Sequence, residues 1–247
     1  MISALKAEFI KLFTVRSTYI ILGLSLALEV LFAFYISGWR AKPDNLADSG
    51  FLSEQVTSAV GTLNLLVGIV GVLLVTHEYR YNTIMYTLTS NKSRSRVLFA
   101  KLLAISCFAI VFALVFGGLS PLLAGFGIHA HGLHLVHQYV PVWSLIWRTV
   151  VAGWGFVALA TILALLIRIQ VGAIAAMFLI PGTVEQLLGL LLRKNQVYLP
   201  FSSLGVLLGN AAEGSHISYV RAALVGVAYI TVGWLVAWIA FIRRDAN

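Results

Sequence analysis

Six stretches of the chain are nearly unbroken hydrocarbon, separated by short polar breaks: 19–36, 56–75, 98–116 with an extension toward Phe126, 149–167, 171–192 and 222–242. A helix that crosses a bilayer needs about 20 mostly apolar residues. Each stretch meets or approaches that length without a sustained period-2 alternation, so the pattern predicts six transmembrane helices. The apolar patch 199–212 is too short to cross and is rich in Gly, Ser and Pro. It reads as a re-entrant or interfacial piece within an outer region 193–220 between spans five and six. Ahead of the first span, Ile2, Leu5, Phe9, Leu12 and Phe13 recur at helical spacing, with Lys6, Glu8 and Lys11 mostly off that stripe. This predicts an amphipathic helix over 1–17 lying in the membrane surface. The fold class is therefore all-α integral membrane.

Composition agrees. Of 247 residues 60% are hydrophobic and 11% charged, with a mean hydropathy of +0.94. Soluble domains run near 45–50% apolar and about 25% charged. The net charge of +8 comes from 17 basic residues scattered between apolar segments, which is the distribution of topology determinants and not of a nucleic-acid-binding face. With the N-terminus inside, eleven basic residues fall on the inner side and six on the outer side. The positive-inside rule then places both termini in the cytoplasm of a multi-pass plasma (inner) membrane protein. The charged start, with Glu8 among its lysines, argues against a cleavable signal. No extramembrane segment is long enough for a second domain, so residues 1–247 form one membrane domain. The lone Cys107 lies in an apolar run and has no intrachain partner.

One break carries more charge than the others. The stretch HEYRYNTIMYTLTSNKSRSRVLFAK, residues 77–101, holds Arg80, Lys92, Arg94, Arg96 and Lys101. A Lys or Arg at the bilayer centre costs about 2.5–3.5 kcal/mol, so these five would cost about 12–17 together. The segment 77–97 must lie outside the hydrocarbon, as a cytoplasmic loop. Residues 83–88 form a short helix-like run; Ser90, Asn91 and Ser93 make a turn, and Ser93 is placed to cap the helix of span three. By composition alone this is equally a basic loop that only fixes topology. Its order of residues adds something: Glu78, Thr83-Ile84, Leu88-Thr89, Ser93-Arg94 and Lys101 together resemble the corresponding loop of the ABC-2 type permeases, the membrane subunits of one class of ABC exporter. The resemblance extends over the whole chain, to a closing Arg243, Arg244 and Asp245. Two positions depart from the pattern, Asn82 where Gly is frequent and Asn91 where Pro is frequent.

The resemblance implies that the loop is a coupling helix. Glu78, Arg80, Thr83, Ile84, Leu88, Ser93, Arg94 and Arg96 would engage a separate ABC ATP-binding subunit, present in two copies. ATP and Mg would sit on that partner and no cofactor on this chain. The permease would pair with a second copy of itself or with a homologous permease, in contact with membrane lipid and no nucleic acid. The sequence supports this division of labour, since it contains no G-x-x-x-x-G-K-[ST] loop to cradle nucleotide phosphates.

Two acids fall inside predicted spans. At 1.5 Å per residue, Glu29 and Glu185 lie at similar depth in the outer half of the membrane. An ionised carboxylate facing lipid there is costly, so each must face protein or water. They are candidates for the translocation pathway, or for packing as protonated or hydrogen-bonded groups. Pro181-Gly182 precedes Glu185 and is expected to kink span five. Between spans three and four, His129, His131, His134 and His137 crowd into nine residues. Closely spaced imidazoles can hold Zn or Cu, but the spacing matches no standard site and no Cys accompanies it. An interfacial loop helix accounts for them equally well. Trp39, Tyr139, Trp143, Trp147 and Tyr219 fall near outer interfaces as anchors, whereas Trp154, Trp234 and Trp238 lie deeper.

The chain lacks G-x-S-x-G and H-E-x-x-H, which counts against an intramembrane enzyme. The expected function is the permease subunit of an ATP-driven exporter. The alternatives are an ion-coupled secondary transporter, or a non-transporting immunity or receptor protein. A secondary transporter usually shows paired broken helices, and in the sequence only span five looks broken, with no matching partner in the first half.

Overall fold

The computed structural model describes residues 2–42, 46, 50–81, 83–84, 86, 94–134, 142–210 and 217–243. Six helical spans cover Arg16–Arg40, Ser53–Arg80, Ser95–Ala130, Trp143–Ile167, Gln170–Tyr198 and Tyr219–Arg243. Each runs a few residues past its apolar stretch, because the helical ladder continues into the polar boundary where charged ends reach water. Six crossings put both termini on one side, called here the terminal side; the other is the far side.

Helix α1 (Ile2–Thr14) meets α2 (Arg16–Glu29) at Val15, whose extended backbone turns the chain sharply. Span one does not stay α-helical: after Glu29 it widens into a π segment, Val30–Ile36, and ends in the turn Ser37–Arg40. Span two is α3 (Phe51–Arg80), span three α4 (Arg94–Ala130) and span four α5 (Val142–Ile167). Span five is composite, with α6 (Gln170–Leu179), a π segment Ile180–Val184, α7 (Glu185–Leu192) and a 3-10 turn Arg193–Tyr198. A short helix α8 (Pro200–Leu207) follows, then span six, α9 (Tyr219–Arg243).

The central helices are α3 and α5, which pack on each other; α4 lies against both, and α8 is wedged between α5 and α9. The most apolar stretches of α3 and α5 are 67% and 61% buried, against 17% in span five and 22% in span six. Leu187, Leu190, Leu191, Val220 and Leu224 are exposed, an apolar surface suited to lipid or to a neighbouring membrane subunit. One core joins Val56, Val60, Leu159, Leu204 and Phe201, and a second joins Leu12, Leu63, Ile105 and Phe112, so that α1 is packed onto the bundle.

Three details differ from the sequence expectations. The kink expected at Pro181-Gly182 is a π segment, and span one carries a second one with no proline to announce it. It packs closely on α4: a Cβ on Gly127 would overlap the Phe34 carbonyl. The expected contrast between one broken span and five regular ones therefore does not hold. On α1, Glu8 belongs to the buried face with Ala4 and Leu12, while Phe13 is half exposed; the reason is the ion network described next. The third concerns length: of the patch 199–212, residues 200–207 form α8, about 12 Å long by helical rise and packed between α5 and α9.

Candidate functional site

On the terminal side, α3 ends and α4 begins around four charged groups. Glu8 is 2% exposed, Glu78 4% and Lys101 4%. Lys101 donates from Nζ to Glu8 Oε2 at 2.7 Å and to the Leu74 carbonyl at 3.1 Å, and lies 3.3 Å from Glu78 Oε1. Lys11 donates to Glu8 Oε1 at 2.7 Å and to Glu78 Oε1. Two acids and two lysines thus alternate, and the set is neutral. The apolar pattern leaves Glu8 off the hydrophobic stripe, yet it is buried, and the opposite charges from α1 and α4 make that burial tolerable. Burial works against the charged form of Lys11, but the Glu78 and Glu8 carboxylates outweigh it and hold its ammonium above the usual lysine range. The result ties the surface helix α1 to the facing ends of spans two and three.

The coupling candidates divide around this network. Glu78 faces inward, within it. Ile84 is buried in the larger core. The Thr83 amide bonds the Glu78 carbonyl at 2.9 Å, closing the end of α3. Arg80 donates to Gln170 Oε1 at 3.1 Å, reaching the start of span five. Arg80, Thr83 and Arg96 are exposed, and the rings of Tyr81 and Tyr86 stand out from the same region, Tyr86 at 77% exposure. Leu88, Ser93 and the side chain of Arg94 lie outside the described residues, as does the expected turn at Ser90 and Asn91. A cavity of about 670 Å³ lies under this region, lined by Leu12, Val15, Leu73, Leu74, His77 and Tyr86 among others.

Toward the far side, the two intramembrane acids have opposite surroundings. Glu185 opens α7 and accepts three hydrogen bonds from the start of α8: from the Phe201 amide at 2.8 Å, the Ser202 amide at 2.7 Å and the Ser202 hydroxyl at 2.6 Å. Leu199, at the helix start, supplies no side-chain cap, and Pro200 needs no donor partner at the first helical position. Glu185 therefore caps α8 from another helix and sets a negative charge against its positive end. The other end is matched too. Arg148 donates from Nε to the Leu207 carbonyl at 2.6 Å while its guanidinium lies 3.8 Å from the centre of the Tyr219 ring. A helix of two turns is thus clamped by a carboxylate at one end and a guanidinium at the other. The sequence marked Glu185 but gave no sign of its partner; Arg148 read only as an outer basic residue. A cavity of about 470 Å³ beside the clamp is lined by Phe156, Glu185, Gln186, Gln196, Ser202 and Asn210.

Glu29 has no such partner. It is 0% exposed, and neither carboxylate oxygen has a hydrogen-bond partner. Of the histidines, His129 and His134 approach with ring centres 5.2 Å apart and His131 Nδ1 lies 2.9 Å from the Gly127 carbonyl; His137 is outside the described residues. Among the described residues no three His, Cys, Asp or Glu side chains gather as a metal site.

Six helices long and apolar enough to span, in a chain whose described residues are almost all helical, define a multi-pass helical membrane protein. A family model described as ABC-2 family transporter protein matches residues 4–183, and the chain belongs to that family. It is accordingly the membrane component, the permease, and not the ATPase, of a transporter whose members typically work with an ABC ATP-binding subunit. No curated protein matches the chain.

Proposed function

We propose that this permease exports its substrate from the cytoplasm, driven by ATP spent on two separate ATP-binding subunits that grip the segment between α3 and α4. The carrying observation is the division of that segment: Tyr81, Thr83, Tyr86 and Arg96 point out, while Glu78 and Ile84 anchor it. A docking surface works as a lever only if its base is rigid, and the Glu8–Lys11–Glu78–Lys101 network supplies that base. Movement imposed on the outer residues passes through Glu78 and Lys101 to α1 and into spans two and three. ATP and Mg belong to the partner. Leu88, Ser93 and Arg94 complete the expected contact surface. In this reading the terminal side is cytoplasmic, the membrane is the plasma (inner) membrane, and two permeases pair to complete the pathway. Glu185, on the wall of the 470 Å³ cavity, stands near the outer part of that pathway.

The test is charge reversal at Arg94 and Arg96 in the full chain, co-expressed with an ABC ATP-binding subunit. The double variant is expected to lose co-purification of the ATPase by at least tenfold while keeping its own thermal stability. Unchanged co-purification, or transport with no nucleotide-hydrolysing partner, refutes the proposal and turns attention to the secondary-transporter alternative, for which the two π segments are the favouring observation.

A further inference from the structure

Glu29, Ser25 and Ser120 form a dry polar cluster between spans one and three. All three are 0% exposed, and the hydroxyls of both serines, like both oxygens of Glu29, are without hydrogen-bond partners. Ser25 stands one helical turn before Glu29 on the same face of α2. The Ser120 hydroxyl approaches the carboxyl from α4, and among the described residues no hydrogen bond or ion pair joins a charged side chain of α2, α3 or α4 to it. The helical ladders of both spans are interrupted at this level. The π segment begins immediately after Glu29, and Pro121, which follows Ser120, has no amide to give the Gly117 carbonyl. Interrupted ladders of this kind gather at functional positions in membrane helices.

A carboxylate with no exposed surface and no ion-pair partner among the described residues is costly, since burying an isolated ion costs far more than burying a neutral acid. We infer that Glu29, with Ser25 and Ser120, is a proton-binding site: it holds one proton as a neutral acid, with the serine hydroxyls as its hydrogen-bonding partners once the side chains rotate. The cluster lies about 20 Å along the helix from Arg16, in the far half of the membrane. The proton can leave only when water reaches the seam between α2 and α4. Loss of the proton in a closed seam would leave an uncompensated charge there, so the site links protonation to the packing of these two spans.

Infrared spectroscopy of the full chain in liposomes at neutral pH tests this. The spectrum of the wild type minus that of Glu29→Gln should contain the protonated-carboxyl stretching band of one side chain, unchanged when sodium chloride replaces choline chloride. Glutamine copies the shape and neutrality of the acid, so the variant should keep the wild-type Tm. The inference is overturned if the band is absent, if sodium abolishes it and so marks a metal ion as the occupant, or if the variant loses its fold, since that would mean the ionised form was required.

Discussion

Replacing Lys101 with Met probes the ion network most directly. The ammonium is almost wholly buried and makes three contacts, with Glu8, Glu78 and the Leu74 carbonyl. Methionine fills much of the same volume, so the change isolates the charge. Without Lys101 the network loses one of its two described cations while both carboxylates stay buried, and the Leu74 carbonyl loses this donor. Removing one member of a buried pair costs about 3–5 kcal/mol. For a chain of this size each kcal/mol moves Tm by about 2–4 °C, so the expected loss is about 6–20 °C. The assay is thermal unfolding of the purified protein in detergent, alongside limited proteolysis after α1, which should accelerate as that helix is released. The second variant is Glu8→Gln with Lys101→Met. It removes one charge of each sign and leaves Lys11 paired with Glu78. It should be less damaged than the sum of its single changes by about 0.5–3 kcal/mol, the coupling expected for groups in contact. If Lys101→Met shifts Tm by less than about 2 °C, or the two changes simply add, the network does not hold α1 and the lever has no base.

Two further predictions follow from the packing of the spans. Glu185→Ala removes the remote cap of α8 and should cost about 2–4 kcal/mol, with Glu185→Gln milder because one acceptor oxygen remains; differential scanning fluorimetry ranks the pair, and equal Tm values for all three proteins would refute the clamp. On α4, Gly127→Ala and Gly118→Ala should have opposite signs. A methyl group at Gly127 overlaps the Phe34 carbonyl and should lower stability by about 1–3 kcal/mol, whereas Gly118 has nothing within 4 Å of the added carbon and should gain up to about 1 kcal/mol in helix propensity; the same thermal assay reads both.

The spans were legible because twenty apolar residues in a row admit few other structures, and the break in span five because Pro181 removes a backbone donor. The π segment of span one was not legible. It packs Phe34 against Gly127, far apart in sequence, and neither residue is unusual by itself. Glu8 was misplaced for a related reason: hydrophobic periodicity assigns charged residues to the wet face, and only Lys101 from another span reverses that assignment. Arg148 sat in a position that looked like an ordinary flank and proved to hold the end of α8. In each case the missing information was a partner supplied by the fold. What the sequence did mark, the two intramembrane acids, it marked by cost alone, and cost does not say whether a partner exists.

That difference separates the two acids. Glu29 and Glu185 lie at similar depth and each borders a π segment, Glu29 before one and Glu185 after one. Their surroundings have opposite chemistry. Two amides and a hydroxyl all donate to Glu185, so it caps a helix whose opposite end is held by the Arg148 guanidinium. Among the described residues neither oxygen of Glu29 has a hydrogen-bond partner within bonding geometry and no ion pair joins it, so little offsets the desolvation of a charge there. Replacing Glu185 breaks contacts that the fold already makes, whereas replacing Glu29 with an isosteric neutral group breaks none that join the described residues. Glu185→Gln should therefore cost stability where Glu29→Gln does not.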